Sequence, residues 1–244
     1  MEVVAAVIPA RLGSTRFAGK VLYPFKGRPL LYHVWRQVTK SQEVAQVWIA
    51  TDSGEIARAA ESFGAEVIFT SRRPRTGTDR VAEAISDRSA EIVINVQADC
   101  LGLKPSLVDR VVRHMRQDRS VQYATLARPI GNDRELFDPG VVKVVVDQES
   151  QALWFSRFPI PFLQRPSPGQ RSAQFVYLAH IGVYFFRRAA LEAFAGWKQT
   201  RLEKAESLEQ LRILENGGSI RVFKTTARTI SIDKPEDLKK ISGR

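Results

Sequence analysis

The 244-residue sequence predicts an α/β protein with a mainly parallel sheet flanked by helices. Three observations predict it. Short, β-branched, nearly uninterrupted apolar runs at 3–8, 44–50 and 92–96 read as strands buried on both faces, the habit of parallel sheets. Segments with helical apolar spacing alternate with these runs, which is the order of βαβ units. Each run also ends in a polar or glycine-containing stretch, where open α/β sheets place their ligands.

The first run leads into Pro9-Ala10-Arg11-Leu12-Gly13-Ser14-Thr15-Arg16-Phe17-Ala18-Gly19-Lys20. Its three cations (Arg11, Arg16, Lys20), two hydroxyls and two glycines cannot belong to a core. Cations together with free backbone N–H groups suit a polyphosphate. The stretch is not a P-loop, because five residues separate Gly13 from Gly19 and Val21 follows Lys20. It also lacks a G-x-G-x-x-G fingerprint. A plain basic surface loop is the alternative.

After the turn Gly27-Arg28-Pro29, apolar residues at Leu30, Leu31, Val34, Trp35 and Val38 predict a helix. The run at 44–50 ends in Thr51-Asp52-Ser53, which can cap a helix over 55–63 that Gly64 closes. A third strand spans 66–69. Thr76-Gly77-Thr78-Asp79-Arg80 then opens a helix over 81–85; small residues there either expose N–H groups to a ligand or form a plain N-cap. The fourth strand, 92–96, ends in Gln97-Ala98-Asp99. A carboxylate beside a phosphate loop is a candidate Mg²⁺ ligand, since Mg²⁺ takes oxygen ligands and shares them with phosphates. The alternative, an N-cap for a helix over 105–116, is disfavoured by the intervening residues.

A strand over 122–126 and a hairpin pairing 141–146 with 152–156 follow, with the turn at Asp147-Gln148-Glu149. Prolines 159, 161, 166 and 168 forbid a regular helix over 158–169. The stretch Tyr177 to Tyr184 reads as a strand, and His180 within it reads, taken alone, as a packed histidine. Residues 201–214 read as one amphipathic helix, its stripe formed by Leu202, Ala205, Leu208, Leu211 and Ile213 or Leu214. Glu206, Glu209 and Gln210 would sit together on its polar face. Gly217-Gly218 ends that helix, a strand spans 221–225, and Asp233 precedes a proline-initiated terminal helix that it could simply cap.

Composition bounds the function classes. Apolar residues make up 44% and charged residues 26%, ordinary for a globular protein. No apolar run approaches the ~18 residues of a membrane span, and the chain enters a strand without a signal-like leader. The single cysteine, Cys100, allows no intrachain disulfide and fits a reducing cytoplasm. A net charge of +11 raises nucleic acid as a partner. The cations are dispersed, however, the densest cluster being Arg72-Arg73-Pro74-Arg75, and no nucleic-acid-binding motif is present. Zinc and serine-hydrolase motifs are absent as well.

The first loop resembles the P-A-R-x-x-S-T-R-x-x-G-K signature of the nucleotidylyltransferases that activate 3-deoxy-D-manno-octulosonate (Kdo) with CTP. Residues 76–80 resemble that family's S-G-T-E-R, with Asp79 in place of Glu. Asn95-Val96-Gln97-Ala98-Asp99-Cys100-Leu101 resembles N-V-Q-G-D-E-P, but departs from it at Ala98, Cys100 and Leu101. Trp154 to Pro161 resembles Y-F-S-R-x-x-I-P, His180 to Tyr184 resembles H-x-G-I-Y, and 202–212 resembles L-E-x-x-E-x-L-E-Q-L-R. Ile232-Asp233 with Pro235-Glu236-Asp237-Leu238 resembles V-D-T-P-E-D-L.

The resemblance covers nearly the whole chain. It implies one domain, 1–244, of the nucleotide-diphospho-sugar transferase type: a Rossmann-like sheet with a smaller β-rich extension. The nucleotide-binding half would span about 1–125, and the sugar-binding and dimerisation half about 126–244. The implied activity is transfer of CMP from CTP to the anomeric hydroxyl of Kdo, for lipopolysaccharide synthesis, by a cytoplasmic homodimer using Mg²⁺. Ala10, Arg11, Ser14, Arg16, Lys20, Thr76, Gly77, Thr78, Arg80 and Gln97 would bind the nucleotide. Gln97, Arg157, His180, Tyr184, Glu209 and Gln210 would bind the sugar. Asp99 and Asp233 would hold the metal, and Arg11 and Lys20 would act with them in catalysis. In place of the family's second acid beside Asp99 this chain has a thiol, a poor ligand for Mg²⁺. A cytidylyltransferase for a related sugar acid, such as 8-amino-Kdo, and a basic nucleic-acid-binding protein are the alternatives.

Overall fold

The computed structural model describes residues 2–232 apart from Ser14, Thr15, Arg16, Ala18, Pro166, Pro168 and Arg228, and also Asp237; of Ser231 only the backbone is described. Strand β1 (Val4–Ala10) is buried along its whole length. It outlasts the predicted run because Pro9 and Ala10 stay in register with Ala50 and Thr51. Proline's fixed φ suits the last residues of an extended chain. A turn of 3₁₀ helix at Lys20–Leu22 leads to a small hairpin, β2 (Pro24–Phe25) and β3 (Arg28–Pro29). Its turn residues, Lys26 and Gly27, both have positive φ (47° and 75°), the geometry of two-residue hairpin loops.

Helix α1 (Leu30–Val38) buries Leu30, Leu31, Val34 and Val38, as its spacing predicts. Strand β4 (Gln46–Thr51) is followed by α2 (Gly54–Glu61), whose N-cap Ser53 accepts from the Ile56 N–H at 3.4 Å. Gly64 closes that unit at φ +85°. Next come β5 (Glu66–Phe69), α3 (Gly77–Ala84), β6 (Ile92–Val96), β7 (Cys100–Leu101) and α4 (Pro105–Gln117). The N-cap of α4 is Lys104, so Asp99 caps nothing there.

The second half contributes β8 (Tyr123–Pro129), α5 (Asp133–Leu136), the hairpin of β9 (Lys143–Val146) and β10 (Ala152–Ser156), α6 (Arg171–Gln174) and the long β11 (Leu178–Arg187). After these follow α7 (Arg188–Gly196), α8 (Arg201–Glu206), α9 (Leu211–Glu215), β12 (Ile220–Lys224) and β13 (Ile230–Ser231). Two expectations change here. Helix α7 was not predicted, although Ala190, Leu191 and Phe194 give it a buried face. The helix expected over 201–214 is two helices, broken at Ser207, which sits in the left-handed region at φ 51°. Leu208, Leu211 and Ile213 are buried, but Leu202 and Ala205 of the expected stripe are exposed.

Among the described residues nine strands form one sheet. Strands β5, β4, β1 and β6 lie side by side and parallel. Strand β11 runs antiparallel beyond β6. Along one edge β11 meets β9 and then β6, along the other β8, and β12 lies parallel beyond β8. The β-rich second half therefore extends the same sheet. Alternate residues of β1 feed two cores. Val4, Ala6 and Ile8 pack with α1, α2 and α4, while Ala5 and Val7 pack with α3, α7 and α9. Fully burying a Val, Leu or Ile side chain contributes roughly 1.5–3 kcal/mol, so both faces are firmly covered. The chain leaves β1 toward β4 on one side and returns to β6 on the other. This reversal opens a crevice at the carboxyl ends of β1 and β6.

Candidate active site

The crevice brings together segments far apart in sequence. The loop after β1 closes on itself where the Gly19 N–H bonds Leu12 O at 3.2 Å, with Gly19 at φ +65°. Lys20 follows, its ammonium ion-paired with the Asp99 carboxylate beyond β6. The same ammonium donates to Ile232 O at 3.1 Å, and the Ile232 N–H donates to Asp99 O at 3.2 Å. Strands β13 and β7 pair antiparallel, Ser231 opposite Cys100, so the chain leading into residue 233 runs beside Asp99. Asp233 itself lies outside the described residues, as do Ser14 and Arg16. Ala10 is buried at the end of β1, and Arg11 is exposed at the crevice mouth.

The thiol of Cys100 was expected beside the metal position. It packs instead into the core on the α1 and α4 face, 5% exposed. Burial, with the Asp99 charge beside it, pushes its pKa up to about 12. The side chain of residue 100 thus belongs to the core rather than to the crevice.

Thr76 and Asp79 form a capping box at the start of α3. The Asp79 N–H donates to Thr76 Oγ1 and the Thr76 N–H to Asp79 Oδ2, both at 3.1 Å. Gly77 is closely approached, since a Cβ there would lie 3.2 Å from Gln97 Nε2 and 3.4 Å from Pro9 Cγ. The Gln97 side chain and the end of β1 therefore both lie against the first turn of α3.

The Thr78 hydroxyl, expected to meet the nucleotide, is committed to the protein. It accepts from Asn95 Nδ2 at 2.8 Å and donates to Glu209 Oε1 at 2.7 Å. Arg80 is likewise engaged, paired with Asp52 at 3.4 Å and bonded to the Thr70 hydroxyl. The Glu209 carboxylate docks on the first turn of α3. Its burial raises its pKa, and the Thr78 and Thr76 hydroxyls and the Thr78 N–H oppose that shift.

Glu209 is joined by Gln210, the N-cap residue of α9. Gln210 is 2% exposed; its Oε1 accepts from the Tyr184 hydroxyl at 2.9 Å, and its Nε2 is buried with no partner among the described residues. Burial raises the Tyr184 pKa well above the ordinary phenol value, so Tyr184 remains a donor. Because of the break at Ser207, Glu206 does not share the face of Glu209 and Gln210 that a continuous helix would give. Its carboxylate accepts from the Ser156 hydroxyl at 2.6 Å and from the Arg157 N–H at 2.9 Å.

His180 lies in β11 just before an irregularity in its pairing with β8. Thr125 Oγ1 lies 2.8 Å from Val183 O and 2.9 Å from His180 Nε2; while it donates to the carbonyl it can accept from an Nε2–H tautomer. Burial lowers the His180 pKa to about 3. The Arg157 guanidinium donates to Glu206 O at 2.8 Å, Pro139 O at 2.9 Å and Ser207 O at 3.2 Å. Three of its five N–H groups are thus directed at carbonyls.

Sequence reasoning missed two buried polar residues that shape this region. Asn95 is fully buried and holds Thr78. Lys143 is fully buried too, and its ammonium holds Asp138 O at 3.0 Å and Val141 O at 2.6 Å. The signal was present in both cases, as one polar residue inside an apolar run (Ile-Val-Ile-Asn-Val and Val-Val-Lys-Val-Val-Val). The arginines at 72, 73 and 75 are exposed, and two of them line a cavity of about 930 Å³ on the other side of α3 with Lys198 and Lys204.

As a metal site the crevice offers, among the described residues, one hard carboxylate, Asp99, already beside a cation. Among the described residues no three His, Cys, Asp or Glu side chains group to hold a metal. This donor set suits Mg²⁺, which is held by one or two carboxylates and completed by phosphates and water.

A cytidylyltransferase family profile matches residues 5–230. The chain is 41% identical over 243 residues to the 3-deoxy-manno-octulosonate cytidylyltransferase of Geobacter sulfurreducens, covering 98% of this chain and 97% of that one. It is also 41% identical over 239 residues to the enzyme of the same name from Solibacter usitatus, covering 98% and 93%. The solved structure of CMP:2-keto-3-deoxy-manno-octonic acid synthetase complexed with CTP superposes with a TM-score of 0.89 at 37% identity, over 98% of this chain and 96% of that one. A cytidylyltransferase from Leptospira borgpetersenii, 16% identical, shares the fold with a TM-score of 0.65 over 99% and 85%. With a crevice at the sheet reversal and these full-length relatives, the chain belongs to the 3-deoxy-manno-octulosonate cytidylyltransferase family.

Proposed function

We propose that the protein transfers CMP from CTP to the anomeric hydroxyl of Kdo, giving CMP-Kdo and pyrophosphate for lipopolysaccharide synthesis. The observation that carries this reading is the pairing of Lys20, from the loop after β1, with Asp99, from the end of β6, at the crevice between them. In-line attack on the α-phosphorus needs charge neutralisation, a positioned nucleophile and a stabilised leaving group. Lys20 and Arg11 supply cations along the triphosphate, with Arg16 proposed beside them. Ala10, Ser14, Gly77 and Gln97 are proposed to hold the nucleotide, and Thr76 and Arg80 to shape the α3 end of its subsite. Asp99 would hold Mg²⁺ together with Asp233; when bound, the ion supplies a Lewis acid to the phosphoryl oxygens and lowers the pKa of the sugar hydroxyl.

On the sugar side, Glu209 offers an acceptor fixed by Thr78, and Gln210 a donor with no partner among the described residues. Such a pair suits a diol. Tyr184 orients Gln210, and His180 enters as a neutral imidazole. Arg157 has two N–H groups beyond its three carbonyl bonds, enough for a bidentate carboxylate contact. Arg157→Lys keeps the charge and loses the fork. The expected result is a rise of about tenfold or more in the KM for Kdo, with that for CTP little changed. Equal weakening of both would make Arg157 purely structural.

A homodimer fits the exposed apolar residues of the second half, notably Phe158 (71%), Phe162 (77%) and Val176 (69%). Light scattering on the purified protein, with Phe162→Asp as control, tests that assembly. Among the described residues no helix is long and apolar enough to cross a membrane, and we place the reaction in the cytoplasm. The decisive assay is pyrophosphate release from CTP with Kdo, 8-amino-Kdo and other 3-deoxy-ulosonates, with ATP as the control nucleotide. Release with Kdo and CTP supports the reading, and preference for another sugar acid redirects it. Absence of release, with salt-sensitive polynucleotide binding instead, would replace it with the nucleic-acid reading.

A further inference from the structure

The stretch assigned to the nucleotide and the stretch assigned to the sugar are joined by one hydrogen-bonded chain. Gln97 Nε2 donates to Asn95 Oδ1 at 3.4 Å, Asn95 Nδ2 donates to Thr78 Oγ1 at 2.8 Å, and Thr78 donates to Glu209 Oε1 at 2.7 Å. Direction is set by chemistry. A carboxylate accepts only, so the Thr78 hydroxyl must donate to Glu209 and must itself accept from the Asn95 amide. Asn95 is fully buried and Thr78 is 1% exposed, so water competes for neither. The end of α3 that faces Gln97 and the loop carrying Gln210 are therefore joined through buried hydrogen bonds.

We propose that the Asn95–Thr78–Glu209 chain couples the two substrate subsites, so that occupancy of one tightens binding at the other. Thr78 and Asn95 are positioning residues in this scheme, acting through Glu209 and Gln97. The inference rests on the cytidylyltransferase reading of the site. Linkage makes the coupling reciprocal, and coupled sites commonly differ by about 5- to 150-fold in affinity.

The test measures the dissociation constant of the non-hydrolysable α,β-methylene analogue of CTP with and without saturating Kdo. For the native sequence the expected result is tightening by about fivefold or more. Thr78→Val removes the hydroxyl at nearly constant shape and should bring the ratio to about one, while Thr78→Ser should retain it. A residue that merely supports the fold would lower stability and weaken both ligands without changing the ratio. Should Thr78→Val not fold, Asn95→Leu, which removes the amide from the same chain, gives the same reading. A Thr78→Val protein that keeps the native ratio overturns the proposal, as does a native protein whose two ligands bind independently. Failure of the native protein to bind the CTP analogue or Kdo at all overturns instead the functional reading beneath it.

Discussion

Lys20 and Asp99 form a pair whose partners come from different loops, and both side chains are largely shielded from solvent, with exposures of 17% and 15%. Desolvation of both charges offsets much of their attraction, so the pair adds little net stability, but it concentrates charge where a triphosphate would lie. Asp99→Asn removes the negative charge and keeps the shape. Turnover should fall about a hundredfold or more, and the thermal midpoint should fall as well, because Lys20 loses its counter-charge. Retention of most activity in a CTP–Kdo assay would show that Asp99 does not contribute its charge to the chemistry. His180 makes a different case, a group whose effect is on stability. Its folded pKa is lowered to about 3 by burial, below the unfolded value near 6.5. The folded form then binds fewer protons than the unfolded chain, so the contribution is fully present above about pH 6.5 and is lost as pH falls toward 3. His180→Gln should flatten the acid side of the stability curve. Urea midpoints at pH 7 and pH 5 should differ less in the variant than in the native protein, and an unchanged difference would assign the acid lability to other groups.

The break between α8 and α9 is where element and sequence disagree most usefully. Strands 66–69, 92–96 and 152–156 and helix Leu30–Val38 were legible to the residue, because burial on a sheet or helix face leaves a periodic imprint. The crevice was legible too, since cations, glycines and a carboxylate at strand ends have no core role. Residues 201–214 carry helical spacing throughout, and neither Gly nor Pro marks the interruption. What interrupts the helix is a contact distant in sequence. The carbonyls of Glu206 and Ser207, left without helical partners, accept from the Arg157 guanidinium. Periodicity cannot reveal a cap supplied from 50 residues away. Ser207 at φ 51° then turns Glu209 and Gln210 out of the helical path toward α3. A β-branched residue is poorly tolerated in that region. Ser207→Val should destabilise the protein by about 1–2 kcal/mol and raise the KM for Kdo more than that for CTP. Ser207→Gly should be neutral or slightly stabilising in the same melts. If the valine variant matches the native protein in both readouts, the left-handed turn does not position Glu209.

The two halves of the chain share one sheet, but helices on one face need a second fastening, and Arg212 supplies it. Its guanidinium is 2% exposed and meets Glu203 of α8 in a fork, at 2.8 and 2.6 Å. It also reaches Asp79 of α3 at 3.2 Å and lies 4.2 Å above the centre of the Phe194 ring of α7. Four helices from both halves therefore converge on one cation. Replacing a whole buried ion pair by apolar residues is often nearly neutral, whereas removing one partner strands the other charge. Arg212→Met should cost about 3–5 kcal/mol, because Glu203, itself 2% exposed, is left without its counter-charge. The double variant Arg212→Met with Glu203→Leu should recover a large part of that loss, although the Thr200 N–H loses the Glu203 carboxylate that caps it at 3.2 Å. Burial also predicts that 0.5 M NaCl changes the native urea midpoint little, since salt screens exposed pairs far more than buried ones. The functional consequence follows from Asp79. It completes the capping box on the same turn of α3 that receives Glu209, so loosening Arg212 should raise the KM for Kdo even in the stabilised double variant. A double-mutant cycle in urea measures the coupling. If the double variant is less stable than Arg212→Met alone, the Arg212–Glu203 pair is not the fastening inferred here, and the helices are held by apolar packing alone.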